Sequence, residues 1–282
     1  MGKQFLLLLK AIVIVGVALI RETSSESFST DVDVTGGTAN VQDGGNQLQL
    51  TLDQAGGSEV QSKQKYLYGR FDMRIKVVPG YSAGVVTSFF LQSPRPTNDE
   101  MDFELLGNVT GEPYLLHTNV WTNGVGNREE QINLWFDPRA DFHTYTFIWN
   151  PRNIIWFVDG TPVRLFKNAP QQGVPYLSKQ FLNAYAALWN GDEWATRRGQ
   201  IKTDWSKAPF VATYRNFNSD ACINAGRGYR CSQNRGQWWD ITLDARQLAK
   251  LRWVRKNYMV YDYCRDTTKY PQGFPPECSI NV

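Results

Sequence analysis

Apolar residues recur at every second position in several short stretches, and that period narrows most sharply what the chain can become. In NQLQLTLD, Leu48, Leu50 and Leu52 alternate with Gln47, Gln49 and Thr51. In RFDMRIKV, Phe71, Met73, Ile75 and Val77 alternate with Arg70, Asp72, Arg74 and Lys76. A period of two puts the apolar set on one face of a strand and the polar set on the other. Both stretches therefore read as half-buried strands. HTYTFIWN at 143–150 is a further strand, and VVTSFFLQ at 85–92, apolar on both faces, reads as a central one. IIWFVDGTPVRLF at 154–166 is a hairpin candidate with Asp159-Gly160 at its turn. Gly, Asn and Pro separate these runs at short intervals, which is the pattern of an all-β sandwich. One helix is expected near the end. Asp244 can cap DARQLAKLRWVRKNY, and Leu248, Leu251, Val254 and Tyr258 follow at helical spacing.

Composition supports a packed core. Hydrophobic residues make up 42% and charged residues 20%, which argues against disorder. The net charge of +3 comes without a long Lys/Arg run, so nothing marks a nucleic-acid partner. Aromatics at 13%, with ten Trp, suit pleated surfaces, and some rings remain candidates for stacking on a ligand. The N-terminus reads as a secretory signal: Lys3, then a nearly continuous apolar run from Phe5 to Ile20, then a polar stretch. Cleavage is expected within 22–28, leaving no membrane segment. All four cysteines, Cys222, Cys231, Cys264 and Cys278, lie in the last quarter of the chain. They fit an oxidising compartment, and their three possible pairings include two local ones, Cys222–Cys231 and Cys264–Cys278. Their spacing is not that of a zinc site, and His is scarce, so no metal is expected. Asn108-Val109-Thr110 is a glycosylation acceptor sequence. The expected division is a leader at 1–25, a β-sandwich at 26–215 and a disulfide-stapled extension at 216–282 that completes the same domain. A monomer is expected.

Residues 98–108, NDEMDFELLGN, are the candidate site of chemistry. Glu100, Asp102 and Glu104 share one strand face, while Met101, Phe103 and Leu105 share the other. A solvated acidic face is the plain alternative. Like charges on one face repel, however, and acids are poor strand formers. Clustered carboxylates with perturbed pKa values often mark an active site. Four strand residues span roughly 13 Å between Cα atoms. Two Glu side chains leaning together bring their carboxyl groups to about 5–6 Å, the separation of a retaining glycosidase pair.

The block E-x-D-x-E, followed by a hydrophobic pair, Gly and Asn, resembles the catalytic strand of the plant xyloglucan endotransglucosylase/hydrolases of glycoside hydrolase family 16. Further blocks agree in order: KQKYLYGRFDMRIKVVPGYSAGVVTSFFLQS, HTNVWTNGVGNREEQINLWFDPRADFHTYTFIWN, LWNGDEWATRRG, KTDWSKAPF and RWVRKNYMVYDYC. The resemblance implies a curved, concanavalin-like antiparallel jelly roll with an open cleft, plus a C-terminal extension containing the helix. It implies Glu100 as nucleophile, Asp102 as its helper and Glu104 as acid/base, with no cofactor. The substrates implied are donor and acceptor xyloglucan chains in the plant cell wall (apoplast). Sugar contacts implied by matching blocks are Glu104, the segment His117, Thr118 and Asn119, the segment Asn127, Arg128 and Glu129, then Glu193, Trp194, Gly199 and Lys269. Asn108 matches the glycosylated position beside the catalytic strand.

Several positions depart from the family pattern. Asn98 stands where His is common, Gly36-Gly37 where Trp-Gly is usual, and Glu59-Val60 where Gly-Phe is usual. Arg198 replaces the first glycine of a Gly-Gly pair, and Lys269 precedes Tyr270-Pro271 where Arg precedes Phe-Pro. A Lys does not reproduce the planar fork of Arg. Competing readings are a mainly hydrolytic relative and a glycan-binding sandwich without catalysis. The intact acid triplet speaks against the second.

Overall fold

The computed structural model describes residues 26–232 and 237–280, so the leader expected at 1–25 lies outside the described residues. In chain order the first strands are β1 (Val32–Gly36), β2 (Thr38–Gln42), β3 (Gln47–Leu52), β4 (Ser58–Ser62), β5 (Tyr66–Lys76), β6 (Val85–Gln92), β7 (Glu100–Leu106) and β8 (Leu115–Trp121). They continue as β9 (Glu130–Asn133), β10 (His143–Trp149), β11 (Asn153–Val158), β12 (Thr161–Lys167), β13 (Asn183–Asn190), β14 (Phe210–Asn224), β15 (Tyr229–Cys231) and β16 (Met259–Asp262). One α-helix, α1 (Ala245–Tyr258), precedes β16.

Two antiparallel sheets face each other. The first runs β1-β4-β13-β6-β7-β8-β9-β16, and the second β12-β11-β10-β5-β14-β3-β2, with β15 paired to β14. The alternation read from the sequence decides what enters between them. Leu48, Leu50 and Leu52 of β3 and Phe71, Met73 and Ile75 of β5 are all buried. From the first sheet come Phe89, Met101, Phe103 and Leu105. Phe103 meets Phe147 at 4.6 Å between ring centroids and Tyr145 at 5.4 Å, so the sheets are joined by interlocked aromatic rings. VVTSFFLQ forms β6, which is internal to its sheet. Asp159 and Gly160 both have positive φ, 47° and 70°, as a type I′ turn between β11 and β12 requires.

The C-terminal extension stays attached to both sheets. β14 runs on through position 216, so the chain leaves the sandwich without leaving the second sheet. Asp244 and Gln247 form a reciprocal capping box on α1, whose buried residues are Leu251 and Val254. β16 then closes the far edge of the first sheet against β9. Both local disulfides form, Cys222–Cys231 and Cys264–Cys278. An internal ion pair fastens the tail: Arg128 Nε lies 2.5 Å from Glu277 Oε1, with side chains 9% and 4% exposed. No described helix is long and apolar enough to cross a membrane.

Removing one partner of such a buried pair strands the other charge away from water. Glu277→Ala is expected to lower the unfolding free energy by about 3–5 kcal/mol. Urea denaturation checks this, and an unchanged midpoint would show that the pair does not hold the tail.

Candidate active site

Met101, Phe103 and Leu105 fill the core, so Glu100, Asp102 and Glu104 must occupy the opposite face of β7. There all three line a cleft of about 820 Å³. Register supplies their neighbours. On one side Gln92, Phe90 and Ser88 of β6 stand opposite Glu100, Asp102 and Glu104. On the other, Trp121, Asn119 and His117 of β8 stand opposite the same three. Every one of these six lines the cleft.

The three carboxyls have different surroundings. Glu100 accepts hydrogen bonds from the side-chain amides of Gln92 and Asn98, the latter at 2.9 Å. Burial raises its pKa, while Gln92, Arg95 and Asn98 draw it back. Asp102 accepts from the backbone N–H of Asn119. Burial, then the charges of Glu104 and Glu100, push it well above the ordinary range against the pull of Arg164. Among the described residues Glu104 has no comparable donor. Burial, helped by Glu100 and Glu129, raises it to about 8. Its nearest imidazole nitrogen is Nε2 of His117 at 3.7 Å. Burial lowers the pKa of His117 to about 4, so the ring is neutral at pH 7. The Gln131 amide lies 3.0 Å from Nδ1, and as donor there it leaves the imidazole proton on Nε2, toward Glu104.

The acids titrate as a coupled set. Donors on Glu100 favour its anion, and their absence at Glu104 favours the acid form. One strand face thus presents a carboxyl whose donors favour the anion and another whose burial favours the acid, separated by a third group. That is the division of roles double displacement at a sugar requires. Aromatic rings flank the acids. Trp194 lies 5.9 Å from Trp189 and 5.2 Å from His117, and Phe90 stacks on Tyr185 at 4.8 Å. Such faces suit the apolar sides of a sugar ring.

The sequence-expected contacts separate into two groups. His117, Asn119, Glu129 and Trp194 line the cleft with the acid triplet. Thr118 does not, because alternation turns it to the core side, where its hydroxyl accepts from Arg164 Nη1 at 2.9 Å. Arg128 also points away, into its pair with Glu277, while its backbone N–H donates to Asn119 Oδ1 at 3.0 Å. Asn127 and Glu193 are exposed and outside the lining, and the Asn127 carbonyl accepts from the Tyr270 hydroxyl at 2.5 Å. Gly199 supports the Trp194 loop from behind: its φ is +78°, and a Cβ there would lie 2.2 Å from the Glu193 carbonyl oxygen. Lys269 is held by an ion pair to Glu129. Lining residues not singled out from the sequence include Ser88, Phe90, Gln92, Arg95, Trp121 and Trp189. Those of β6 become legible once Gln92 is paired with Glu100 across the β6–β7 turn.

The raised pKa of Glu104 has a consequence for stability. In the unfolded chain a Glu ionises near its ordinary value of 4.5, whereas folded Glu104 stays protonated to about 8. Folding therefore opposes ionisation, and stability falls as pH rises through that window. Glu104→Gln removes the conflict. The variant is expected to melt at the same temperature as the parent near pH 4 and on the order of 10 °C higher above pH 8. A melting difference that does not vary with pH would mean that Glu104 is not perturbed.

Comparison with known proteins agrees with this geometry. Residues 28–207 match the model of glycosyl hydrolases family 16, and residues 233–278 match that of the xyloglucan endo-transglycosylase C-terminus. Xyloglucan endotransglucosylase protein 8 of Diospyros kaki is 51% identical, covering 92% of this chain and 92% of its own. Probable xyloglucan endotransglucosylase/hydrolase protein 23 of Arabidopsis thaliana is also 51% identical, covering 90% and 91%. Among solved structures, a prokaryotic β-1,3-1,4-glucanase (lichenase) derived from a mouse hindgut metagenome superposes with a TM-score of 0.56 at 25% identity, covering 70% of this chain and 97% of that one. With its acids on a shared strand face and its matches running from sandwich to tail, the chain belongs to glycoside hydrolase family 16, among the plant xyloglucan endotransglucosylase/hydrolases.

Proposed function

We propose that this protein cleaves the β-1,4-glucan backbone of xyloglucan and transfers the glycosyl group to another xyloglucan chain, remodelling the cell wall. The observation that carries the reading is the asymmetry along β7. Glu100 holds two amide donors, while Glu104, on the same face, is raised to about 8.

The Glu100 carboxylate attacks the anomeric carbon, and the bond to the leaving chain's oxygen breaks as Glu104 gives it a proton. A glycosyl ester on Glu100 results. An acceptor hydroxyl then gives its proton to Glu104 and displaces Glu100, restoring both groups. Asp102, held by the Asn119 N–H, lies between them in sequence and buffers the charge that moves from one to the other. His117, neutral and protonated on Nε2, steadies the Glu104 carboxylate when it forms. Trp194 and Glu129 contact the sugars, with Lys269 orienting Glu129.

Export to the cell wall fits the two disulfides. Asn108 is the proposed glycan acceptor. It is half-buried and held near the end of β7 by a 2.9 Å bond from its side-chain amide to the Pro113 carbonyl.

The test is a product assay with xyloglucan and a labelled xyloglucan oligosaccharide. Label entering polymer is expected. New reducing ends without label uptake would mean hydrolysis instead, and no change in either would leave only binding. Glu100→Gln is expected to lower turnover by roughly 10⁴-fold or more while sugar affinity persists. Survival of activity would displace Glu100 as nucleophile. The kcat/KM profile is expected to be bell-shaped, its alkaline limb falling at about 8 as Glu104 loses its proton. A rate that does not fall above that pH would remove Glu104 from the acid role.

A further inference from the structure

A second groove lies between α1, β16 and the loop that follows Trp194. Its volume is about 1070 Å³, and five cations line it: Arg198, Arg252, Arg255, Lys256 and Arg265. Two carboxylates share the wall, and both are engaged locally. Asp262 accepts from the Cys264 N–H at 2.9 Å and lies 3.5 Å from Arg265 Nε. Asp266 accepts from the Lys269 N–H at 3.0 Å and the Tyr261 hydroxyl at 2.8 Å. Arg255 is paired with Glu130 at 2.9 Å. Arg198, Arg252 and Lys256 are exposed and make no ion pair among the described residues.

A bland account covers part of this. Arg255 and Lys256 lie in the last turn of α1, where cations complement the helix dipole. It does not cover Arg198. That residue has φ 59°, directly after Arg197 at φ 49°, in the left-handed region that favours glycine. It occupies the first position of the pair that the family pattern fills with glycine, so the backbone tolerates strain to present a guanidinium here. Strained non-glycine residues of this kind concentrate at ligand-binding sites. Nor does the dipole explain Arg252, a turn before Lys256 on the same helix side, or Arg265 beyond the helix.

The groove adjoins residues that support the cleft. Arg198 is four residues from Trp194, which lines the cleft. Lys269 bridges the two places, its side chain on cleft-lining Glu129 and its backbone on groove-lining Asp266. The cleft sheet ends at β16, which forms the groove wall. The cations thus lie at the β16 edge of the sheet that carries the cleft.

We infer that this groove binds an anionic glycan, a polysaccharide with carboxylates repeated along its chain, and so anchors the enzyme to acidic polymer while the cleft works on neutral glucan. Guanidinium groups match carboxylates in shape as well as charge. The inference goes beyond the transfer reaction, because binding is read without turnover: a chain inactive in transfer can pass the test, and an active one can fail it.

The probe is a fluorescent oligogalacturonide, titrated by anisotropy into the full secreted protein at low and high salt. Binding that weakens with salt is expected. The triple variant Arg198→Gly, Arg252→Gln, Lys256→Gln is expected to bind about tenfold more weakly, as loss of several exposed charge contacts implies. These side chains are exposed, and glycine relieves the strain at 198, so the variant folds. Its transfer between neutral xyloglucan chains is expected to stay within about twofold of the parent. No binding, or binding that the triple variant retains, overturns the inference. Equal affinity for inorganic polyphosphate overturns the glycan assignment, since charge alone would then explain the groove.

Discussion

Three carboxyls can stand on one strand face here because the other face of that strand is locked into a core that does not yield. Phe103 is wedged between Tyr145 and Phe147, and the Trp156 indole donates to the Asp102 carbonyl oxygen at 3.0 Å, tying the strand to the facing sheet. Repulsion among Glu100, Asp102 and Glu104 cannot be relieved by a one-residue slip, since that would send Met101, Phe103 and Leu105 into water and the acids into the core. All three pKa values rise, first through burial, and the neighbouring charges add to the rise at Asp102 and Glu104. Local donors then decide which group holds the proton. The different proton affinities along β7 are thus a consequence of burying three acids on a rigid strand among unlike neighbours.

Beneath the acids lies a positive counterpart in the core. Arg164, 1% exposed by its side chain, bonds the Thr118 hydroxyl and the Arg128 carbonyl and lies 3.8 Å from Glu130 Oε1, which also receives Arg255. Its guanidinium sits 5.1 Å from the Trp156 ring and favours the Asp102 anion. Through this network and the Arg128–Glu277 pair, the C-terminal extension sets the positions of β8 and β9 from behind. Lys269 reaches the same region from the side. The tail therefore braces the cleft-lining Glu129 as well as closing the edge of the sheet.

Much of this was legible from residue order. The half-buried strands, the Asp159-Gly160 hairpin and the Asp244 cap follow from short-range patterns and have their counterparts in the structure, which also selects the local pairing among the three the cysteines allowed. The acid triplet was legible for the same reason, since neighbours on one strand need no tertiary information to share a face. Family blocks were less exact guides to contact. His117, Thr118 and Asn119 are consecutive, so a strand must turn one of them inward, and Thr118 is that one. In Asn127, Arg128 and Glu129, only Glu129 lines the cleft.

What the sequence determined by itself was local: which residues form strands, which side of each is apolar, where the turns fall and that three acids share one face. These follow from periods of two and of 3.6 acting over a few residues. The tertiary structure alone decided which strands became neighbours. That brought Gln92 and Asn98 to Glu100, left Glu104 with a neutral His117, set Arg164 under Asp102 and gathered Arg198 with the cations of α1. Proton affinity depends on burial and on charges a few ångströms away in space, and residues far apart in the chain supply both.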